Sequence, residues 1–301
     1  MHDLVVIGTS IASGVGRGID RSVTSGAVKS WIYHLADMIG ARNVWNHSLP
    51  GKSMGLVNAD GAEFAKQYER KFGNCDDLFM VLEYSLPSYR HWDPVMSARS
   101  DCKEIIPVTY FTPFKHKEDA SNPMYYYGND RFMESRFYVR DVGDMIGKVD
   151  HQETYHEVTK DYVVPDQLAQ FEAQALDWFQ PTQANSLRYL RYAYDEVMAA
   201  QDFLEGRNIT FMQTWVGGVT DSYKRAVDRY MAPLMRNKKL VPMKEFTAIT
   251  ATLDWSIKPF RNHPDDAGHY RIAEFYHDWI TRHELFTPTQ SELFHFSGEN
   301  T

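Results

Sequence analysis

The sequence predicts an α/β fold in which a central parallel sheet of about five strands lies between two layers of helices. Short apolar runs alternate with amphipathic segments over the first 85 residues, which is the order of strand–helix–strand units. The first run, "LVVIG" (4–8), is apolar throughout, as expected of a strand that is buried on both faces of a parallel sheet. Glycine closes two of the amphipathic segments, at Gly40 and Gly73, where helix C-caps are expected.

The elements follow in order along the chain. We predict strands at 4–8, 43–48, 77–85 and 208–215, and helices at 27–40, 61–73, 186–206, 221–235 and 267–285. The helical segments carry apolar residues at the spacing of a single buried face. Residues 93–165 are rich in Tyr, Pro, Asp and His and show weak periodicity. We therefore expect one domain, 1–301, with an insertion at about 93–180.

The composition excludes several classes of protein. Hydrophobic residues make up 43% and charged residues 24% of the 301 residues, which is typical of a globular protein. A net charge of −8 and a pI near 5.8 argue against binding of nucleic acid through its phosphates. Apolar runs of about 18 residues and the features of a signal peptide are both missing, and Cys75 and Cys102 are too few for a disulfide framework. We expect a cytoplasmic protein without nucleic-acid or membrane partners.

Small or polar residues stand near the carboxyl ends of the predicted strands. Ser10 follows the first strand, Gly51 lies in the turn after the second, and Ser85 ends the third. His263 precedes the last helix, in the stretch "RNHPDDAGH" (261–269). Ligands of open parallel sheets bind beyond this edge of the sheet. The sequence therefore predicts that a nucleophile, a backbone donor, a polar side chain and a histidine converge there.

Three stretches resemble motif blocks of the SGNH (GDSL-type) hydrolases, and most closely those of the viral, phage-like branch. They are "VVIGTSIASGVG", "NHSLPGKS" and "HPDDAGHYRIAEFYHDWI", which are similar to the first, second and last blocks of that family. The resemblance covers roughly 1–92 and 186–285. It implies a flavodoxin-like, three-layer α/β/α sandwich, and a location in the cytoplasm, in a host cell or in a virion.

The resemblance also implies ester hydrolysis through an acyl-enzyme. Ser10 matches the nucleophilic serine of the family, and His263 matches the catalytic base. The backbone N–H groups of Ser10 and Gly51 match two donors of the oxyanion hole, and such donors contribute about 3–4 kcal/mol each. The implied enzyme is a carboxylesterase without cofactor or metal. Its implied substrate is a small molecule or a carbohydrate ester, such as an O-acetylated sugar.

The sequence departs from the family pattern at three positions. Thr9 stands where the family has aspartate, and Ser85 is the nearest candidate for the asparagine that completes the oxyanion hole. The family's acid lies three residues before the histidine, but Phe260 occupies that position. Asp254, or a backbone carbonyl, would then orient the imidazole of His263, which is the role of the acid in a catalytic triad.

Three alternatives stay open. Asp266 and His269 satisfy the Asp-x-x-His spacing literally, although they would lie in the first turn of the last helix. With so many family residues replaced, the chain could be an inactive SGNH-like viral protein with a binding or structural role. The turn "GTSIASGVGRG" (8–18) could bind a nucleotide or phosphate, although no Lys follows its glycines as in a P-loop.

Overall fold

A computed structural model of the protein describes residues 2–14, 29–85, 90–91, 95–99, 101, 103–112, 132–178, 183–216, 221–250 and 264–286. The strands are β1 (Asp3–Ile7), β2 (Val44–Asn46), β3 (Leu78–Ser85), β4 (Arg90–His91), β5 (Met96–Ser97), β6 (Glu104–Thr112), β7 (Phe132–Arg140), β8 (Tyr155–Val158) and β9 (Thr210–Val216). The helices are α1 (Trp31–Ile39), α2 (Met54–Phe72), α3 (His151–Thr154), α4 (Pro165–Trp178), α5 (Gln183–Glu205), α6 (Asp221–Met231), α7 (Met243–Thr250) and α8 (Asp266–Arg282).

A parallel sheet with the strand order β2-β1-β3-β9 forms the centre of the fold. β1 pairs with β2 on one side and with β3 on the other. Every residue of β1 and β3 is buried, as their apolar runs predict. The chain leaves β1 toward one side and later returns to the other, so the crevice of the sheet lies at the carboxyl ends of β1 and β3. The α/β prediction is confirmed.

The parallel sheet has four strands instead of about five. Leu240 stands where a fifth strand would lie, and it forms a single parallel bridge with Gln213 of β9. Two backbone hydrogen bonds make this bridge, from Gln213 N to Lys239 O (2.7 Å) and from Val241 N to Gln213 O (2.9 Å). Pro242 follows and has no N–H to donate, and α7 begins directly after it, so the pairing ends there.

Helices cover both faces of the parallel sheet and make three layers. On one face, alternate strand residues such as Val6 pack with α1 and α8 in a buried cluster that includes Ile272. On the other face, the remaining residues, such as Ile7, pack with α2 and α5 in a cluster that includes Val57. No helix among the described residues is both long enough and apolar enough to cross a membrane.

Helix α2 begins earlier than its apolar pattern predicts. The pattern predicts a helix at 61–73, whereas α2 starts at Met54. Ser53 is its N-cap, and the Ser53 hydroxyl accepts a hydrogen bond from Leu56 N at 3.2 Å. The preceding "LPGKS" is typical of a turn, and the serine that ends it is the signal that moves the helix start.

An antiparallel sheet occupies part of the predicted insertion. Its strands have the order β4-β6-β7-β8, and β5 pairs with the beginning of β6. The pairing of β6 with β7 runs from Ile105 opposite Val139 to Thr112 opposite Phe132. Helix α4 follows and packs on this sheet through Phe171. The assignment of a single domain with an insertion stays a prediction.

A buried carboxylate, Asp3, closes the amino-terminal edge of the parallel sheet. It accepts hydrogen bonds from Arg42 Nε (2.8 Å) and Nη2 (2.9 Å), Asn43 Nδ2 (2.9 Å) and Tyr68 OH (2.7 Å). Burial alone would raise the pKa of Asp3, but these donors outweigh burial and hold the pKa below its ordinary value of 3.8. The carboxylate therefore stabilises the folded state in its ionised form.

The substitution Asp3→Asn tests this edge of the sheet. An amide keeps one acceptor oxygen but sets N–H groups against other donors, so we expect the free energy of unfolding to fall by about 1–3 kcal/mol near neutral pH. Because the folded-state pKa is the lower one, the stabilisation is present above about pH 4 and is lost as the pH falls through the folded value. Urea unfolding between about pH 7 and pH 3 should show the difference between the two proteins shrinking on acidification. A constant difference would contradict this explanation.

Candidate functional site

Ser10 lies in a tight turn directly after β1, at the carboxyl edge of the parallel sheet. The turn is closed by hydrogen bonds from Ser13 N to Thr9 O (2.9 Å) and from Ser13 Oγ to Ser10 O (2.9 Å). Ser10 is 9% exposed. Neither its hydroxyl nor its backbone N–H forms a hydrogen bond with a described residue. Both groups are therefore available to a ligand at this edge.

The carboxyl group of Glu83, on β3, lies against this turn and holds it. Glu83 Oε1 accepts hydrogen bonds from Thr9 N (3.0 Å), Thr9 Oγ1 (3.0 Å) and Ala12 N (3.1 Å), and Oε2 accepts one from Trp31 Nε1 (3.3 Å). A Cβ added at Gly8 would lie 2.7 Å from Glu83 Cβ, so the close approach requires glycine. Complete burial raises the pKa of Glu83, although these donors oppose the shift.

Glu83 is not among the residues predicted from the sequence, although its place in β3 indicates a polar contact. It is the only charged residue within β3, whose sequence is LFMVLEYS and whose residues are all buried. A buried glutamate must find hydrogen-bond donors, because a lone charge in an apolar strand is costly. The donors of the turn lie 71 to 74 positions before Glu83 in the sequence. The indole donor belongs to α1. The residue type predicts a polar contact, but the sequence does not show with which segment.

The carbonyl oxygens of the turn are held by neighbouring segments. Gly8 O accepts a hydrogen bond from Leu49 N at 3.0 Å. Ala12 O accepts one from Asn46 Nδ2 (3.1 Å) and one from the hydroxyl of Ser30 (2.7 Å), the N-cap of α1. Contacts from β2, from the loop after it and from α1 therefore fix the position of the turn from outside, while Glu83 fixes it from β3.

Gly51 lies in the loop of residues 47–52, which follows β2. Its φ of +92° belongs to the left-handed region that favours glycine, and its N–H forms no hydrogen bond with a described residue. Two hydrogen bonds shape the loop, from Lys52 N to Leu49 O (3.1 Å) and from Lys52 Nζ to His47 O (2.7 Å). Ser85 Oγ donates to Lys52 O at 3.3 Å. The ends of β2 and β3 therefore meet at this loop.

His47, in the same loop, is a buried and neutral histidine. Its Nε2 lies 3.0 Å from Met145 O and its Nδ1 lies 2.9 Å from Thr154 Oγ1. A carbonyl oxygen only accepts, so Nε2 carries the proton and Nδ1 accepts from the threonine hydroxyl. Burial, aided by the nearby Lys52 ammonium, lowers the pKa of His47 to about 4. Both ring nitrogens are thus engaged in holding the loop.

The alternative pair, Asp266 and His269, connects α8 to the start of α1. Asp266 Oδ1 accepts a hydrogen bond from Lys29 N at 3.0 Å, and the fully buried His269 accepts one from Trp31 N through Nδ1 at 3.2 Å. An Nδ1 that accepts a hydrogen bond cannot at the same time donate to the acid of a catalytic triad. These contacts favour a structural role for the pair.

The described residues bring three of the predicted site residues to one edge of the sheet. Ser10, Gly51 and Ser85 lie on segments that are hydrogen-bonded to one another through the 47–52 loop. His263 and Asp254 lie outside the described residues, so their roles stay predictions. Within the described ranges, no group of three His, Cys, Asp or Glu side chains is placed to hold a metal ion.

The comparison with solved structures gives a similarity of low degree. No family model and no curated protein matches the sequence. Among solved structures, the chain is similar to a catalytic mutant of an acetylxylan esterase from Geobacillus stearothermophilus, with 12% sequence identity and a TM-score of 0.42, over 93% of this chain and 94% of that one. A similarity of this degree assigns neither a family nor an activity. The viral branch also stays a prediction.

Removing the Glu83 carboxyl group tests its role in holding the turn. Glu83→Leu leaves three buried N–H groups without an acceptor, so we expect the free energy of unfolding to fall by about 3–5 kcal/mol. Glu83→Gln keeps one acceptor oxygen and should cost about 1–2 kcal/mol. Urea unfolding measures both, with Glu63→Gln as the control, because Glu63 lies on the surface of α2 and is partly exposed. Equal losses for Glu83→Leu and the control would refute the role.

Proposed function

We propose that this protein is a serine-dependent ester hydrolase of the SGNH (GDSL) type, which forms an acyl-enzyme on Ser10. One observation carries the proposal. The turn after β1 is held on several sides, yet the Ser10 hydroxyl and N–H form no hydrogen bond with a described residue. A serine at the crevice of a parallel sheet, with its polar groups unused, is arranged to meet a substrate.

The proposed reaction begins with His263, which takes the proton of the Ser10 hydroxyl. The serine oxygen attacks the carbonyl carbon of the ester, and the carbonyl electron pair moves onto oxygen. His263 then returns the proton to the leaving alcohol, and the acyl group stays on Ser10. Water, activated by the same histidine, hydrolyses the acyl-enzyme and restores the serine. Asp254 is the proposed acid that orients the imidazole.

The backbone N–H groups of Ser10 and Gly51 are the proposed oxyanion donors. Neither N–H forms a hydrogen bond with a described residue, and the segments that carry them are joined by the hydrogen bond from Leu49 N to Gly8 O. Donors held in place before the reaction cost no reorganisation when charge develops on the substrate. Ser85 is the proposed third donor, and its hydroxyl would exchange its long contact with Lys52 O (3.3 Å) for the substrate.

The proposed substrates are esters of small acyl groups, and in particular O-acetyl groups on a carbohydrate. The resemblance of the three motif blocks supports this choice, and the chemistry requires no cofactor. Membership of the viral, phage-like branch and a location in the cytoplasm or in a virion belong to the same proposal. The competing proposal is an inactive relative with a binding or structural role, which predicts a Ser10 that does not react.

Covalent labelling of Ser10 tests the proposed function. We expect a fluorophosphonate probe to label the purified protein once, and Ser10→Ala to abolish both the labelling and the hydrolysis of p-nitrophenyl acetate. Ser97→Ala, at an exposed serine of β5, is the control and should be labelled like the wild type. His263→Gln should lower kcat by about a thousandfold or more while the protein stays folded. A wild-type protein that is not labelled, or a Ser10→Ala protein that is labelled equally, rules out the hydrolase.

A further inference from the structure

A fully buried ion pair lies directly after Gly51. Lys52 is 0% exposed, and its ammonium group donates to Asp60 Oδ2, on α2, at 2.6 Å and to His47 O at 2.7 Å. Lysine is rarely buried to this extent unless it is paired. The two contacts draw the ends of the 47–52 loop together and attach the loop to α2. The position of Gly51 therefore depends on where Asp60 holds the ammonium group.

Asp60 is in turn held by two strands of the antiparallel sheet. Arg140, at the end of β7, places Nη2 at 2.6 Å from Asp60 Oδ1, and Tyr155, at the start of β8, donates its hydroxyl to Asp60 Oδ2. The Tyr155 ring also lies under Lys52, with Nζ 4.8 Å from the ring centre. Burial alone would raise the pKa of Asp60, but the charges of Lys52 and Arg140, together with the hydrogen bonds from Lys52 and Tyr155, outweigh burial and hold the pKa below its ordinary value.

The beginning of the 47–52 loop is attached to the same part of the chain. His47 contacts Met145 O and Thr154 Oγ1, as described above, and both residues lie between β7 and β8. One residue earlier, Asn46 N donates to Val149 O at 2.8 Å. The segment from β7 to β8 therefore holds both ends of the loop that presents Gly51 N–H.

A buried charge cluster of this kind adds little net stability to the contact between two sheets, because its charges must be desolvated. The desolvation of buried ions can exceed their mutual attraction, and apolar residues of similar volume often stabilise a fold better. What ions and hydrogen bonds supply is a defined geometry, since each contact has its own distance and direction. The cluster is therefore better suited to fixing the position of the loop than to stabilising the fold by burying surface.

We propose that Arg140 and Tyr155 are positioning residues of the esterase. Through Asp60 and Lys52 they hold the 47–52 loop so that Gly51 N–H points at the oxyanion. This inference rests on the proposed function. It assigns the antiparallel sheet a part in acylation that is separate from any contact with substrate.

Three variants and a control test the proposal in the full-length protein. Arg140→Met removes the guanidinium group, Arg140→Lys restores a cation, and Tyr155→Phe removes only the hydroxyl and keeps the ring under Lys52. Arg136→Met is the control, because Arg136 lies on the same strand and pairs with Glu157 of β8 at 4.0 Å. It removes an ion pair between the same two strands without a contact to Asp60.

The first measurement is the hydrolysis of p-nitrophenyl acetate, at a temperature where every variant is folded. We expect Arg140→Met and Tyr155→Phe to lower kcat by about tenfold or more with KM changed less than about twofold, since only transition-state stabilisation is lost. Arg140→Lys should recover part of kcat, and Arg136→Met should keep the wild-type value. Equal effects of Arg140→Met and Arg136→Met would overturn the proposal.

The second measurement separates failure of this proposal from failure of the esterase itself. Hydrogen exchange of the Leu49 and Lys52 amides reports on the loop without any need for activity, because both amides form hydrogen bonds within the site. We expect exchange at these amides to be about tenfold faster in Arg140→Met than in Arg136→Met. Unchanged exchange overturns the positioning role, even in an active enzyme. A wild-type protein that neither hydrolyses esters nor reacts with fluorophosphonate refutes the esterase, and the exchange result then still decides whether the sheet holds the loop.

Discussion

The buried carboxyl group of Glu83 is the contact on which the carboxyl edge of the sheet depends. Its two oxygens accept four hydrogen bonds, three from the turn after β1 and one from the indole of Trp31. Through that indole, the same group also holds the start of α1, and α8 reaches this point through His269. The positions of a strand, a turn and two helices therefore depend on this one carboxyl group, directly or through Trp31. The free energy cost of burying the carboxyl group is offset by donors that would otherwise be unsatisfied.

At the carboxyl edge of the sheet, the turn after β1 and the 47–52 loop are held by contacts of different chemical kinds. The turn after β1 is held by a carboxyl group and by donors to its carbonyl oxygens, whereas the 47–52 loop is held by an ammonium–carboxylate pair and a neutral imidazole. The hydrogen bond from Leu49 N to Gly8 O joins the two segments. The proposed nucleophile and the proposed oxyanion donor lie on separate segments, and such a hydrogen bond would keep both in place as the substrate changes shape.

The hydrophobic pattern of the sequence predicted the strands of the parallel core. The runs predicted as strands at 4–8 and 77–85 correspond to β1 (Asp3–Ile7) and β3 (Leu78–Ser85), because a strand covered on both faces must be apolar throughout. The antiparallel sheet was not predicted, since residues 93–165, which contain most of its strands, show weak periodicity. Ser10 and Gly51 could be placed at an edge from strand order, whereas the partners of Glu83 and Lys52, which no local pattern indicates, could not. A charged residue in an apolar run indicates that a partner exists without saying where.

The attachment of the antiparallel sheet to Lys52 and Asp60 also limits how this chain can change in size. A shortened version that lacked the whole segment from β7 to β8 (132–158) would lose contacts on which the parallel core depends. It would expose a carboxylate and an ammonium group that are both 0% exposed here, and the imidazole of His47 would lose both of its contacts. The antiparallel sheet and the parallel core therefore depend on each other at this contact, and grafting the core alone onto another scaffold would require redesign of residues 46–60 as well.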